Sequence, residues 1–435
     1  MRALAYWLTI AFVFTIPWEN AIKLGDLGRV SKPIGFAMAV VWASSVVLRG
    51  RIRKPDTFQK AYFLLVVWSG LTFYWSINAD ASTRGFLTYT QLLVMLFVIW
   101  DLFDSESAIE TALQAYVLGA YISSLSIVLE FLSAPEAKFP EHERLRGVGT
   151  EVDGIALIVA IAVPAAWYLA AGPTHLQRSP GRRMLNFAYV PIGLFAVAIT
   201  GTRGATLALV PAAIFVFWSL RRARPSQRLA ALGTLAAAIL VLVVYAPRGP
   251  LTRIESATTA TELGSEGSAL SGRWGIWVAS SHAILERPLW GSGLDAHRAA
   301  VSRDLDDVRT FKGVEKEAHN TYISVLVETG IVGFLIFATL IATVVNRIRA
   351  LSGWRAWYWG AQASVLAIGA MSLSLEASKS IWVMLSLCVA TSAVAGSRLV
   401  SAAADAGLPQ LAVTAGGRRA AGAARPWRPA PEAPR

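Results

Sequence analysis

Blocks of apolar residues separated by short polar stretches run along almost the whole chain. Twelve blocks come near the roughly 20 residues that a helix needs to cross a bilayer. Their predicted bounds are 3–18, 33–49, 58–76, 86–103, 108–132, 154–171, 184–200, 204–220, 228–246, 326–346, 355–375 and 380–397. Backbone polar groups in a bilayer must pair within the segment, which favours helices. The pattern predicts an all-α integral membrane protein with about 12 transmembrane helices.

The polar stretches divide the chain into predicted regions. Spans 1–9 occupy residues 1–246, a large helical outer loop follows at 247–318, spans 10–12 occupy 319–399, and 400–435 is a disordered tail without periodicity. The first block lacks a small-x-small cleavage site, so we interpret it as a retained helix. Within the loop, Ser271 opens a predicted amphipathic helix through Leu285, and 286–293 is a turn-rich break.

Lysine and arginine predict the orientation. With the N-terminus inside, 22 of the 40 basic residues lie on the inner side and 18 outside, and nine of those 18 lie in the long loop. The positive-inside rule applies to short loops, where the ratio becomes 22 to 9. Both ends are therefore predicted to be cytoplasmic. The net charge of +12 follows from this topology and indicates no nucleic acid partner.

Composition excludes several function classes. Hydrophobic residues make up 55% of the chain and charged residues 16%, which is too apolar for a soluble enzyme of this length. The single cysteine, Cys388, excludes disulfides and cysteine-based metal sites. No Walker, HExxH, CxxC or GxSxG motif is present. We expect neither a metal nor another cofactor.

Candidate chemistry lies at the outer edge of the spans. Arg203 follows Gly201 in the short turn at 200–204, where an arginine fork could grip a phosphate or could extend from a helix end towards water. Arg273 is a second candidate phosphate ligand, or an ordinary residue at a helix start. The 133–153 loop adds His142 and Arg146, whose alternative is a solvated loop.

The segment 319–333 reads HNTYISVLVETGIVG and leads into the tenth span. His319, Tyr322 and Leu326 would share one helical face, whereas Glu328 does not share it. A histidine at the outer edge of a span could act as a general base, although a lone histidine is more often structural. Asn320 and Tyr322 are candidate substrate contacts.

These segments together resemble one family. The multispan layout, TGTRGA at 200–205, SGR at 271–273, RPLWGSG at 287–293 and the HNxYxxxLxExGxxG run at 319–333 resemble the O-antigen ligase family of bacterial envelope glycosyltransferases. The resemblance is strongest over about 140–335. One departure is Asp153, at a position where the family commonly has asparagine.

The resemblance implies a function as well as a fold. It implies a bacterial inner-membrane enzyme that works on the periplasmic face and transfers O-antigen glycan from undecaprenyl pyrophosphate to lipid A–core. Arg203 and Arg273 would hold the pyrophosphate, and His319 would take the proton of the acceptor hydroxyl. Two arginines can stabilise the leaving group without a metal ion. A direct displacement would invert the anomeric configuration.

Other functions remain open on the sequence. A polysaccharide polymerase would join repeats that are still on the lipid carrier. A protein O-oligosaccharyltransferase is disfavoured because that branch often adds a folded C-terminal region, whereas this tail is short and of low complexity. A transporter or flippase would need ionisable residues deep within spans, and the midspan positions here are almost free of charge.

Overall fold

The computed structural model describes residues 1–25, 28–133, 145–149, 151–175, 179–221, 228–229, 233, 269–306 and 317–405. These residues are helical and contain no strand, apart from one isolated bridge between Lys23 and Arg29. The helices are α1 (Arg2–Thr15), α2 (Ser31–Arg49), α3 (Thr57–Leu71), α4 (Ala79–Leu102), α5 (Glu106–Ser133), α6 (Val152–Ala171), α7 (Pro180–Thr200), α8 (Arg203–Leu220), α9 (Ala269–Glu286), α10 (His297–Asp306), α11 (Thr321–Arg349), α12 (Gly353–Ala370) and α13 (Lys379–Asp405). The all-helical prediction is confirmed for the described residues.

Eight of the described helices are long and apolar enough to cross a membrane: α2, α4, α5, α6, α7, α8, α11 and α13. The residues from Arg2 to Trp18 form a shorter apolar helix. Every predicted span except the ninth coincides with a described helix. The ninth, 228–246, falls almost entirely outside the described residues, so the count of 12 spans stays a prediction.

Helix α6 lies at the centre of the bundle. It packs against α5, α7, α8 and α12, and every residue from Val159 to Ala170 is buried. Many of these residues are alanines, whose small side chains let neighbouring helices approach closely. Trp167 of α6 donates its indole N–H to the Ser219 hydroxyl of α8 at 2.6 Å, which pairs a buried polar group between two helices.

Helix α11 is interrupted at Gly330, where the backbone takes φ 65° and ψ −172°. The backbone of residues 287–294 packs against this break. This segment largely coincides with the turn-rich stretch predicted at 286–293. The hydrogen bonds run from Ser292 N to Val327 O (2.8 Å), from Gly293 N to Glu328 O (3.0 Å) and from Ile331 N to Pro288 O (2.8 Å). Non-helical backbone at membrane depth requires such partners within the protein.

Replacing Gly330 with alanine is expected to destabilise the protein. The positive φ costs a non-glycine residue about 1–3 kcal/mol, and a Cβ at this position would also overlap the carbonyl of Leu289. Thermal unfolding of the purified protein in detergent measures the effect. Gly360→Ala in α12 is the control, because an added Cβ there meets no atom within 4 Å. Equal melting temperatures for the two variants would contradict the interpretation.

The end of the bundle where α2, α4 and α11 finish is rich in ion pairs. Four arginines that the predicted orientation places on the inner side form ion pairs there: Arg49 with Asp101 (3.0 Å), Arg347 with Asp56, Arg355 with Glu106 (2.5 Å) and Arg398 with Glu106 (2.7 Å). Cations at the C-terminal ends of α2 and α11 also lie favourably in the field of the helix dipoles. That this end faces the cytoplasm stays a prediction.

Two expectations about the extramembrane parts need correction. The predicted helix of the outer loop is present as α9, but its exposed side carries Trp274, Val278 and Leu285, so it is not divided into an apolar and a polar face. The predicted disordered tail begins too early, because α13 continues to Asp405. Residues 406–435 lie outside the described part of the chain.

Candidate functional site

Three helix starts meet at one end of the bundle, opposite the end where Arg49, Arg347, Arg355 and Arg398 form ion pairs. They belong to α6, α8 and α11, and the segment 371–378 between α12 and α13 lies beside them. Gly204 lies directly against the Ser372 side chain, where a Cβ would overlap it. The Thr321 hydroxyl donates to the carbonyl of Leu373 at 2.8 Å. These contacts bring Arg203 and His319 to the same end of the molecule.

Arg203 is the first residue of α8 and follows a tight turn. Gly201 ends α7 in the left-handed conformation, with φ 63°, and the chain enters α8 after Thr202. The Arg203 side chain is exposed. The start of a helix concentrates unpaired N–H groups and positive potential, which favours an anion. The sequence predicts Arg203 within the short turn at 200–204, whereas the structure makes it the first residue of α8, directly after the turn. Its role in phosphate binding stays a prediction.

Asp153, in the first turn of α6, contacts both Arg273 and the turn that precedes α8. Its Oδ1 accepts a hydrogen bond from the Thr202 hydroxyl at 3.2 Å. Its Oδ2 lies 3.7 Å from Nη2 of Arg273, in a partly exposed ion pair. One carboxylate of a third helix therefore contacts both the Arg273 side chain and Thr202, the residue that precedes Arg203.

His319 lies just before α11, with a positive φ of 46°. The prediction that it shares a helical face with Tyr322 and Leu326 is wrong, because Asn320 is the N-cap and the helix begins at Thr321. The Asn320 side chain accepts hydrogen bonds from the backbone N–H groups of Tyr322 (3.0 Å) and Ile323 (3.2 Å). An asparagine cap of this kind defines the start of the helix and leaves His319 in the bend that precedes it.

Electrostatics keep the His319 imidazole neutral. Burial lowers its pKa, and the nearby charge of Arg273 lowers it further, while Glu317, Asp153 and Glu151 act in the opposite direction. The Nδ1 atom is buried and has no hydrogen-bond partner among the described residues. A neutral imidazole can accept a proton at neutral pH. The ring therefore has the charge state that a general base needs.

Helix α9 helps to hold His319 in place. The indole N–H of Trp277 donates to the carbonyl of Ala318 at 3.0 Å, one residue before the histidine. Trp277 lies four residues after Arg273, on the same face of α9. One helix face thus carries both the candidate phosphate ligand and an anchor for the candidate base.

The other candidates have different surroundings. Asn320 acts as the helix cap, and the Tyr322 ring packs against Phe337, with its hydroxyl 3.4 Å from the carbonyl of Ala367. Arg146 has an exposed side chain, and its backbone N–H donates to Glu130 at 2.9 Å. His142 lies outside the described residues. No described contact links Arg146 to Asp153 or His319, so its predicted substrate role stays untested.

The sequence prediction missed a buried acidic pair that shares contacts with Ser324 of α11. The Ser324 hydroxyl lies 2.8 Å from Oε1 of Glu376 and 3.2 Å from Oε1 of Glu328. Burial raises the pKa of Glu376, which lies between α12 and α13. Ser324 and Glu328 are four residues apart on one helix, a spacing that could have suggested their contact. Glu376 comes from a distant loop and left no comparable sequence signal.

Comparison with known proteins identifies one family. Residues 188–338 match the family model described as O-antigen ligase. The matched segment begins in α7, ends in α11, and includes Arg203, Arg273 and His319. The resemblance to that family is therefore confirmed over this segment, and it supports glycosyl transfer of the ligase or polymerase type by a multi-pass membrane protein. A search of curated proteins gave no match.

Proposed function

We propose that this chain transfers O-antigen glycan from undecaprenyl pyrophosphate to a hydroxyl of lipid A–core, on the periplasmic face of the bacterial inner membrane. The observation that carries the proposal is the meeting of two arginines and a neutral histidine at one end of a helical bundle. The family match over the same residues supports it. Both ends of the chain would then lie in the cytoplasm.

The donor's pyrophosphate would bind between Arg203 and Arg273. Arg203 is exposed at the start of α8, and the Arg273 side chain is 33% exposed although it pairs with Asp153. An arginine carries five N–H donors, so one contact with a carboxylate leaves others for phosphate oxygens. Negative charge grows on the pyrophosphate as the glycosidic bond breaks. Two fixed guanidinium groups would stabilise that charge.

His319 would act on the acceptor. Its neutral ring would remove the proton from an acceptor hydroxyl as the oxygen attacks the anomeric carbon of the donor sugar. The new carbon–oxygen bond forms while the bond to pyrophosphate breaks, and undecaprenyl pyrophosphate leaves with the electron pair. The proton ends on His319. This single displacement inverts the anomeric configuration and needs no metal ion.

A polymerase is the second candidate. The family match supports ligase and polymerase chemistry alike. A polymerase would use the same arginines and the same base, but its acceptor would be the terminal sugar of another lipid-linked repeat. The two functions differ in the acceptor and not in the chemistry of the site.

Deleting the gene in its native host separates these functions. Gel electrophoresis of lipopolysaccharide and mass spectrometry of undecaprenyl-linked glycans are the measurements. A ligase predicts core-only lipopolysaccharide together with long glycan retained on the carrier. A polymerase predicts core that bears a single repeat.

Complementation supplies the control for the deletion. The wild-type chain on a plasmid should restore the full lipopolysaccharide ladder, and the His319→Ala chain should not. An unchanged lipopolysaccharide profile after deletion would refute both functions. It would indicate a different acceptor, such as protein or exopolysaccharide, or a transporter.

A further inference from the structure

Asp153 lies where three parts of the site meet. Its carboxylate contacts Thr202, which precedes Arg203, and Arg273 on α9. We propose that Asp153 is a positioning residue that fixes the spacing of Arg273 from the Thr202–Arg203 turn, so that both guanidinium groups engage the two phosphates of one donor molecule. The inference rests on the proposed function and assigns a role to a residue outside the predicted site.

The two arginines belong to different groups of helices. Arg203 starts α8, which packs against α6 and α12, whereas Arg273 lies on α9, which packs against α10 and α11. A long arginine side chain has many rotamers, and fixing one of them costs conformational entropy. A carboxylate that grips both the turn and Arg273 supplies this order before the donor arrives. Preorganised charges stabilise a transition state more effectively than mobile ones.

Asp153 is unsuited to bind the donor itself. Its negative charge would repel a diphosphate, and both of its oxygens already face Thr202 or Arg273. The two groups form an ion pair at 3.7 Å through Nη2 alone, and no other contact of the Arg273 donors is seen among the described residues. The carboxylate therefore acts on the donor only through the arginine that it holds.

Asp153 also belongs to the set of charges that face His319. These are Arg273 on α9, Asp153 and Glu151 at the start of α6, and Glu317 before α11, which is itself paired with Arg298 of α10. Asp153 favours the protonated form of the imidazole, whereas Arg273 disfavours it. Removing the charge of Asp153 should therefore lower the pKa of His319 further and move the acidic limb of the rate profile to lower pH.

Kinetics of the Asp153→Ala and Asp153→Asn proteins test the proposal. The full-length chain in lipid nanodiscs is assayed with a lipid-diphosphate-linked glycan donor, and farnesyl diphosphate is the binding probe. Asp153→Ala should lower kcat about 10-fold or more, while the Kd for farnesyl diphosphate changes by less than about 3-fold. Asp153→Asn keeps an oxygen for Thr202, so its kcat should lie between those of the alanine variant and the wild type.

Thr202→Val provides a second, independent variant. The Thr202 hydroxyl makes no capping hydrogen bond to α8, so valine removes chiefly its contact with Asp153. This change should lower kcat by a few-fold in the wild type and by much less in the Asp153→Ala background. Such non-additivity is expected when two residues act through one shared contact.

Asp80→Asn is the matched control. Asp80 is an exposed acid in the first turn of α4, as Asp153 is an acid in the first turn of α6. Its kcat and pH profile should equal those of the wild type. Melting temperatures of all variants separate a kinetic effect from unfolding, and the asparagine variant stays informative if the alanine variant fails to fold.

The outcomes distinguish a failure of the proposed function from a failure of the proposed role of Asp153. A wild-type chain without transfer from a lipid-diphosphate donor would overturn the proposed function. An active wild type whose kcat and pH profile are unchanged in both Asp153 variants would overturn only the role of Asp153. Fully additive effects of Asp153→Ala and Thr202→Val would do the same.

Discussion

The His319→Ala protein is expected to lose about 100- to 10,000-fold in the rate of glycan transfer, the range usual for removal of a general base. The imidazole is neutral, partly buried and placed beside Arg273, so it is ready to accept a proton close to the proposed pyrophosphate site. Alanine leaves the acceptor hydroxyl without a base. Transfer by the purified protein, measured at saturating donor and acceptor, shows the loss.

The pH profile of the wild type gives an independent view of the same residue. The pKa of His319 lies below the ordinary histidine value, because burial and Arg273 disfavour the imidazolium. The neutral form is the one proposed to act as the base, so the rate should fall only as pH drops through this lowered pKa and should stay level across neutral pH. A rate that declines from pH 7 downward, with a midpoint above the ordinary value of about 6.5, would contradict this assignment.

His282→Ala is the control for both measurements. His282 lies on the exposed side of α9 and pairs with Asp304 at 2.8 Å, without a described contact to the candidate site. Its removal should leave kcat and the pH profile unchanged. Unimpaired transfer by His319→Ala, with both proteins present in the membrane in equal amount, would exclude His319 from the mechanism.

Most helices could be predicted from the sequence, because a helix that faces lipid needs a long run of apolar residues. The prediction is less exact at helix starts. The fourth span is predicted at 86–103, whereas α4 begins at Ala79, after Asn78 caps it by accepting from Ala81 N at 3.1 Å. The first turns of α4 contain Asp80 and Arg84, so they are too polar for a hydropathy pattern to include them. Cap residues define such helix starts better than apolar runs do.

The candidate site was predictable residue by residue but not as an arrangement. Arg203, Arg273 and His319 stand out because each places a polar function at the edge of an apolar block. The link through Asp153 depends on how α6, α8 and α9 pack, which no local pattern encodes. The error on the face of His319 has a local cause, because Asn320 is a strong N-cap residue and could have placed the helix start at Thr321.

The second large effect is expected for Arg203→Ala. This change removes one of the two guanidinium groups proposed to stabilise the departing pyrophosphate, and loss of one such donor typically costs about 100- to 1,000-fold in kcat. The fold should persist, since the side chain is exposed at the start of α8. Steady-state kinetics with a lipid-diphosphate-linked glycan, together with the amount of protein in the membrane, are the measurements.

Arg203→Lys tests whether Arg203 acts through its charge or through the geometry of its donors, and Arg84→Ala is the control. Arg203→Lys keeps the positive charge but loses the planar fork of donors, so it should recover only part of the activity if two phosphate oxygens are gripped at once. Arg84→Ala removes an exposed arginine from α4 at the same end of the bundle and should transfer glycan at the wild-type rate. Full activity of Arg203→Ala would contradict the proposed site, because that site needs both Arg203 and Arg273. The pyrophosphate would then bind elsewhere.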